Sequence, residues 1–336
     1  MAININGKCL QASISEIIGY KSGLALSTPE MIELLEGDKS YLLRKNGWLR
    51  IYPEEIEQLI ADLLYAVGNI NSPSMVPISI ELHHELKHIP EKYSVYLKIL
   101  NLFNGFLKKE IKENTSRGKN SIDPSSFARE AEHKFGAFGL KIAFKLLEGI
   151  SHQQHINPWS NTRLVSYKNT LELKELFESA SLEAEYGNFI DQRFIDFLSQ
   201  HFEAIDVIHW RKFEALAAEF FDRQGYIVKM GPGSNDGGVD IRAWKKDVDL
   251  SSPASILVQC KKTKSKVEKS IVKALWADVF HENAESGLIV TTSSISPGAR
   301  QDCIARQYPI GEANRSTLKE WICQMRTPNK GVFMGE

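Results

Sequence analysis

Between residues 226 and 292 the chain alternates short β-type runs with breakers, in an order that few folds accept. Residues 226–230 form a short strand run, and residues 231–238 hold four glycines and a proline, which makes them a turn. Residues 239–244 and 256–261 are β-rich and are separated by a polar loop containing Pro253. Ser265 with Glu268 is a capping-box signature that predicts a helix through about residue 283. Residues 287–292 read as a buried strand, Ser296-Pro297 opens another helix, and residues 317–325 form a last one. Upstream, Trp210, Phe213, Ala217, Phe220 and Phe221 trace one apolar helix face that ends at Gly225. The order α-β-β-β-α-β-α predicts a compact α/β domain over residues 206–326, followed by a tail at 327–336.

That order brings together residues with a chemistry in common. Asp240 follows Gly237-Gly238 on the second strand. Gln259 and Lys261 are two apart on the third, so both side chains point to one face, and Cys260 points to the other as a small apolar residue. Glu214 shares the stripe 210, 214, 217, 221 on the first helix. A carboxylate there is costly unless it is paired, protonated or bound to a metal. A carboxylate, a carbonyl-bearing side chain and a lysine on adjacent strands suit a hard, oxygen-liganded cation such as Mg²⁺, with Mn²⁺ as a substitute. The lysine can then orient water or offset charge on a phosphate.

These residues carry a resemblance. Phe213-Glu214 on a helix ending at Gly225-Tyr226 is followed by Asp236-Gly237-Gly238-Val239-Asp240, by Val258-Gln259-Cys260-Lys261 and by Leu288-Ile289-Val290-Thr291-Thr292. The set resembles the catalytic domain of Mrr-type restriction endonucleases, members of the PD-(D/E)xK nuclease superfamily, over about residues 207–323. The resemblance implies a four-stranded mixed sheet flanked by helices and Mg²⁺-dependent hydrolysis of DNA phosphodiesters. It makes Asp240, Gln259 and Lys261 the core triad and Glu214 an auxiliary metal ligand. The backbone carbonyl of Cys260 joins the metal ligands, and Asp236 is a secondary candidate that otherwise only shapes the turn. It also implies DNA as partner, a homodimer or higher homo-oligomer, and a restriction or anti-phage defence role with a defence-system partner protein. After Arg306 the family's short strand gives way to Tyr308-Pro309-Ile310-Gly311-Glu312, which leaves the far edge of the domain open. A DNA-binding protein with a decayed nuclease site is the alternative.

Charge adds a surface to this reading. The net charge is −1, but residues 206–336 hold 19 basic against 16 acidic residues. Lys261, Lys262, Lys264, Lys266, Lys269 and Lys273 lie within thirteen residues, opposed only by Glu268. Lys266, Lys269 and Lys273 have the spacing of one helix face. Lys262, Lys264, Lys266, Lys269 and Lys273 are therefore candidate DNA-backbone contacts, and a solvated helix face is the plainer alternative.

Residues 1–205 read as a mainly α-helical region with a recognition, regulatory or assembly role. Pro53-Glu54-Glu55 opens a helix, residues 93–111 have helical spacing with an apolar core face, and Asp123-Pro124 starts a helix towards Glu148. Residues 112–126 and 152–161 read as loops, with His152 and His155 solvated, and residues 170–202 as one long or two consecutive helices. His84-Glu85-Leu86-Lys87-His88 matches the H-E-x-x-H pattern of zinc peptidases, with Glu110, Glu113 or Glu130 as a third ligand, so a zinc hydrolase is a lesser alternative. Pro90 follows at once and favours a polar helix end.

With 43% hydrophobic and 25% charged residues, a disordered or fibrous chain is excluded. No apolar run approaches the ~18–20 residues that span a bilayer. The first ten residues carry no secretory signal pattern. Cys9, Cys260, Cys303 and Cys323 form no CxxC pair, so a cytoplasmic protein without a disulfide framework is expected.

Overall fold

The computed structural model describes residues 2–326 apart from positions 36, 118–121, 164, 166, 180–183, 185–186 and 234–237. The N-terminal region contains β1 (Ile3–Asn6), α1 (Gly7–Ser22), β2 (Leu24–Ala25), α2 (Thr28–Leu34), β3 (Trp48–Ile51), α3 (Pro53–Ala66) and α4 (Ile78–Leu86). It continues with α5 (Pro90–Arg117), α6 (Ser125–Ile156), β4 (Leu171–Glu172), α7 (Leu173–Glu178) and α8 (Gln192–Gln200), and then a 3-10 turn at Phe202–Asp206. α3 starts where expected, because Pro53 presets the first helical φ and Glu55 Oε2 accepts from the Tyr52 amide at 2.8 Å.

The C-terminal part is α9 (Trp210–Arg223), β5 (Ile227–Met230), β6 (Ile241–Trp244), β7 (Ile256–Lys261) and α10 (Lys269–His281). β8 (Ser286–Thr291), α11 (Pro297–Arg306), β9 (Ile310–Ala313) and α12 (Arg315–Met325) complete it. The strands form one mixed sheet in the order β5-β6-β7-β8-β9. β5, β6 and β7 pair antiparallel, whereas β7, β8 and β9 pair parallel. α9 and α12 cover one face and α10 and α11 the other. Alternation along β7 decides which side chain goes where: Val258 and Cys260 join the core under α9 and α12, and Leu257 joins the core under α10. The α9-side core continues without a break into the N-terminal region, from Leu10 and Ile14 through Phe194 to Phe213 and Ile322. α4, α5 and α6 pack around a separate core of Tyr96, Ile99, Phe103, Phe127 and Leu146.

Several elements differ from the sequence expectation. The sheet has five strands, not four, since residues 310–313 pair with β8 as an edge strand. Pro309 stands just before β9, a place where its missing N–H costs no ladder bond. α10 begins at Lys269 rather than at residue 265, because Val267 is already committed to a bridge with Ile295 and its amide donates to Ser294 O at 2.9 Å. α5 extends to Arg117 and α6 to Ile156, through stretches read as loops. Neither stretch holds a proline or glycine before Gly118 and Pro158, so nothing in them stops a helix. Residues 170–202 take the second of the two expected forms, two consecutive helices, both short, with β4 ahead of them and Gly187 at φ 134° between them.

His155 is not solvated. It is fully buried, with its Nε2 2.6 Å from Asn69 Oδ1. Burial holds its imidazole down at about 3, and the charges of Lys21 and His152 act in the same direction. His152 is partly buried, near Ser74 O at 3.3 Å. The zinc pattern does not assemble, because α4 ends at Leu86 and His88 lies beyond it. Glu85 is instead paired with Lys145 at 2.8 Å, and Glu130 with Lys134 at 2.6 Å. The side chain of Glu113 lies outside the described residues. No helix among the described residues is long and apolar enough to cross a membrane.

Candidate active site

α9 places the first ligand candidate. Its N-cap is His209, whose Nδ1 accepts from the Arg211 amide at 3.2 Å, and its apolar stripe seats Phe213 and Ala217 in the core. That seating carries Glu214 inward, where only 6% of it remains accessible. Arg211, one turn earlier, donates to Glu214 Oε2 at 2.7 Å and to Gly231 O at 2.7 Å. Glu214 is thus held in an ion pair with a neighbour at i−3, the spacing at which helical side chains meet.

Asp240 stands at the entrance to β6 rather than within it. Its amide donates to Val258 O at 2.9 Å, and its carbonyl accepts from the Gly231 amide at 2.8 Å. Its carboxylate is buried and accepts the Cys260 amide at Oδ2, 2.6 Å away. Ile241 pairs with Val258, so Asp240 falls opposite Gln259.

Gln259 is buried at 4% exposure, and its Oε1 has no hydrogen-bond partner among the described residues. A buried carbonyl oxygen left unpaired costs about 1–3 kcal/mol. Gly238, at φ 95°, gives Gln259 its room: a Cβ there would lie 2.9 Å from Nε2. Lys261, two residues on, is half-buried at the end of β7. Its carbonyl accepts from Thr291 Oγ1 at 2.8 Å, and its ammonium makes no hydrogen bond or ion pair with the described residues.

The electrostatics converge on the same point. Burial pushes the Cys260 thiol well up, and the carboxylates of Asp240 and Glu214 push it further, against an opposing pull from Lys261. All three charged candidates therefore surround the middle of β7. The oxygen donors are two buried carboxylates and one orphaned amide oxygen, a hard donor set that fits a Mg²⁺-type ion. Among the described residues no group of three or more His, Cys, Asp or Glu forms a metal cluster. The third donor here is an amide, outside that group.

The structure places the remaining candidates less uniformly. Asp236 lies outside the described residues. Lys262 is turned inward, its Nζ donating to Asp206 O at 3.0 Å. Lys264 and Lys266 are exposed on the loop before α10, so Lys266 does not share a helix face with Lys269 and Lys273. Lys269 and Lys273 flank Asp302 of α11 at 3.1 and 3.8 Å. Arg211 is not among the sequence candidates, and Gly238 enters there only as part of the glycine turn. Arg211 was findable from its helical spacing to Glu214; the contact of Gly238 with Gln259 had no sequence signal.

Residues 205–322, about a third of the chain, match the family model of the Mrr catalytic domain, described as a restriction endonuclease. Uncharacterized protein y4cE of Sinorhizobium fredii (strain NBRC 101917 / NGR234) is 31% identical over 104 residues, 29% of this chain. The chain spans a quarter of that relative's length. A solved structure, the MspJI restriction endonuclease in complex with a 27-mer oligonucleotide, is similar at 20% identity and a TM-score of 0.30. That likeness covers 57% of this chain and 40% of the other, and it is too loose to align site residues. The likeness to restriction endonucleases of the Mrr type thus falls on residues 205–322, the C-terminal part of the chain.

Proposed function

We propose that the chain is a Mg²⁺-dependent endonuclease that hydrolyses DNA phosphodiester bonds, with Asp240, Gln259 and Lys261 as its core and Glu214 as an auxiliary ligand. The observation that carries this reading is the orphaned Oε1 of Gln259, buried opposite Asp240 in a domain that matches restriction endonucleases. Asp240, Glu214 and Gln259, with the Cys260 backbone carbonyl, would hold the ion. When bound, it supplies a positive charge that favours ionised water and offsets charge on the phosphate. Lys261 Nζ, without a partner among the described residues, is available to bind a phosphate oxygen or to orient the attacking water. Arg211 pairs with Glu214 and ties it to the backbone at Gly231, at the end of β5.

In this reading residues 206–326 are the catalytic unit, and residues 1–205 serve recognition, regulation or assembly. One site per chain cuts one strand, so double-strand cleavage calls for two copies. A restriction or defence role follows from the family's chemistry. The test is incubation of the full chain with plasmid, linear and phage-modified DNA in EDTA, Mg²⁺ and Mn²⁺. Cleavage in the metals and none in EDTA supports the reading. Binding without cleavage in either metal would identify a decayed site.

A further inference from the structure

The start of α9 carries an exposed tryptophan at the edge of the candidate site. Trp210 is 45% accessible although it belongs to the helix that buries Glu214 one turn later. A Cβ built on Gly233 would lie 3.1 Å from Trp210 Cη2 and 3.0 Å from Arg211 Nη1. The indole therefore rests against the segment that leads from β5 towards Asp240, on the side where Arg211 binds Glu214 and Gly231 O.

The backbone under this indole is tied down from several directions. Lys262 Nζ donates to Asp206 O at 3.0 Å, and Arg315 binds the Asp206 carboxylate at 2.7 Å. The His209 amide donates to Phe177 O at 2.8 Å, and Lys212 Nζ donates to Leu176 O at 2.8 Å. Burial holds the Lys212 ammonium down at about 8. The His209 ring lies against the indole with centroids 5.3 Å apart, and nearly half of the tryptophan still remains accessible on this fixed helix start. Beside a phosphodiester site, a flat aromatic surface on a rigid mount suits the π-face of a nucleobase, which any sequence supplies.

We propose that Trp210 is a positioning residue that stacks on a base of the bound DNA next to the scissile phosphate. The inference rests on the nuclease reading and adds a sequence-neutral contact to it. Stacking adds affinity without neutralising phosphate charge, so it leaves the salt dependence of binding untouched.

The experiment measures binding of a fluorescein-labelled oligonucleotide, single-stranded and duplex, to the full chain in EDTA across a salt series, followed by cleavage kinetics in Mg²⁺. Trp210→Ala is expected to raise Kd for the single-stranded oligonucleotide about 5- to 100-fold, and for the duplex by less, with an unchanged slope of log affinity against log salt. Trp210→Phe should stay within about twofold of wild type, and Trp210→Leu, which keeps apolar bulk but no π-face, should behave like alanine. KM should rise with kcat nearly unchanged. Wild-type affinity in both Trp210→Ala and Trp210→Leu, in a protein that still cuts DNA, overturns this inference alone. A weaker Trp210→Ala with a shallower salt slope also overturns it, since the variant would then neutralise fewer phosphates. A wild-type chain that neither binds nor cuts DNA overturns the nuclease reading and this inference with it.

Discussion

The amide of Cys260 donates to Asp240 Oδ2 at 2.6 Å, so the strand that bears Gln259 and Lys261 also fixes the carboxylate facing them. A charge-assisted bond of this length orients the acid before any ion arrives. The site is thus organised by backbone, and the side chains on either side of Cys260 inherit their placement from the same strand.

Gly238→Ala tests how tightly that placement is set. The residue sits at φ 95°, and a methyl group there would press on Gln259 Nε2. Backbone strain of about 1–2 kcal/mol is expected. DNA cleavage should fall much further than the denaturation midpoint does, because Gln259 must swing out of register. Unchanged cleavage in Gly238→Ala would mean that Gln259 has freedom the geometry does not allow it.

Glu214→Gln keeps the shape of the helix face and removes one charge. Cleavage should fall less than in Asp240→Ala, and raised Mg²⁺ should restore part of it. The partner change Arg211→Gln should leave Glu214 buried without this cation, lowering stability by about 3 kcal/mol. Activity of Glu214→Gln that matches wild type at limiting Mg²⁺ would return Glu214 to a purely structural ion pair.

The lysines should divide into two groups. Lys264 and Lys266 are exposed and lie outside the ion pairs of α10, whereas Lys269 and Lys273 share Asp302, whose carboxyl is held below its ordinary value first by the Lys269 hydrogen bond. Neutralising Lys264 and Lys266 should make the slope of log affinity against log salt shallower by about 0.9 for each duplex phosphate that the variant no longer neutralises. Neutralising Lys269 and Lys273 should change it less. Equal slopes for all variants and wild type would make the whole stripe a solvated surface.

The His155 ring gives a pH prediction for stability. Its folded-state value, about 3, is depressed by burial below the ordinary histidine value. The unfolded chain therefore takes up the proton first, and stability is lost as pH falls below about 6.5 and continues to fall towards 3. By pH 5 the loss from this ring alone is about 2 kcal/mol. Asp196 acts with the opposite sign, since burial raises its carboxyl to about 7, so it favours the fold at low pH and ceases to as pH rises through 7. Comparing denaturant unfolding of wild type and His155→Gln from pH 7 to pH 5 isolates the first effect. Parallel pH profiles would show that His155 titrates alike in the folded and the unfolded chain.

The C-terminal domain was legible because its signals are local. Four glycines and a proline mark one turn, residues 259 and 261 share a face by strand periodicity, and Ser296-Pro297 caps a helix on sight. Where tertiary pairing decides, the sequence fell silent. The start of α10 depends on the bridge between Val267 and Ile295, and β9 exists because β8 offers an open edge. Lys262 reads as a DNA contact in the sequence, yet Asp206, 56 residues away, takes its ammonium. His155 looks polar in a loop, yet Asn69, 86 residues away, meets it in the core. Long-range partners of this kind leave no periodic trace.

The most direct test of the account is cleavage of supercoiled plasmid by the full chain, by Asp240→Ala and by Lys261→Ala in Mg²⁺, with thermal unfolding measured in parallel. Wild type should cut in Mg²⁺ and stop in EDTA. Both variants should lose more than about a hundredfold in rate, roughly 2.7 kcal/mol of barrier, while unfolding near the wild-type temperature. Asp240→Ala cutting at the wild-type rate would contradict the assigned site.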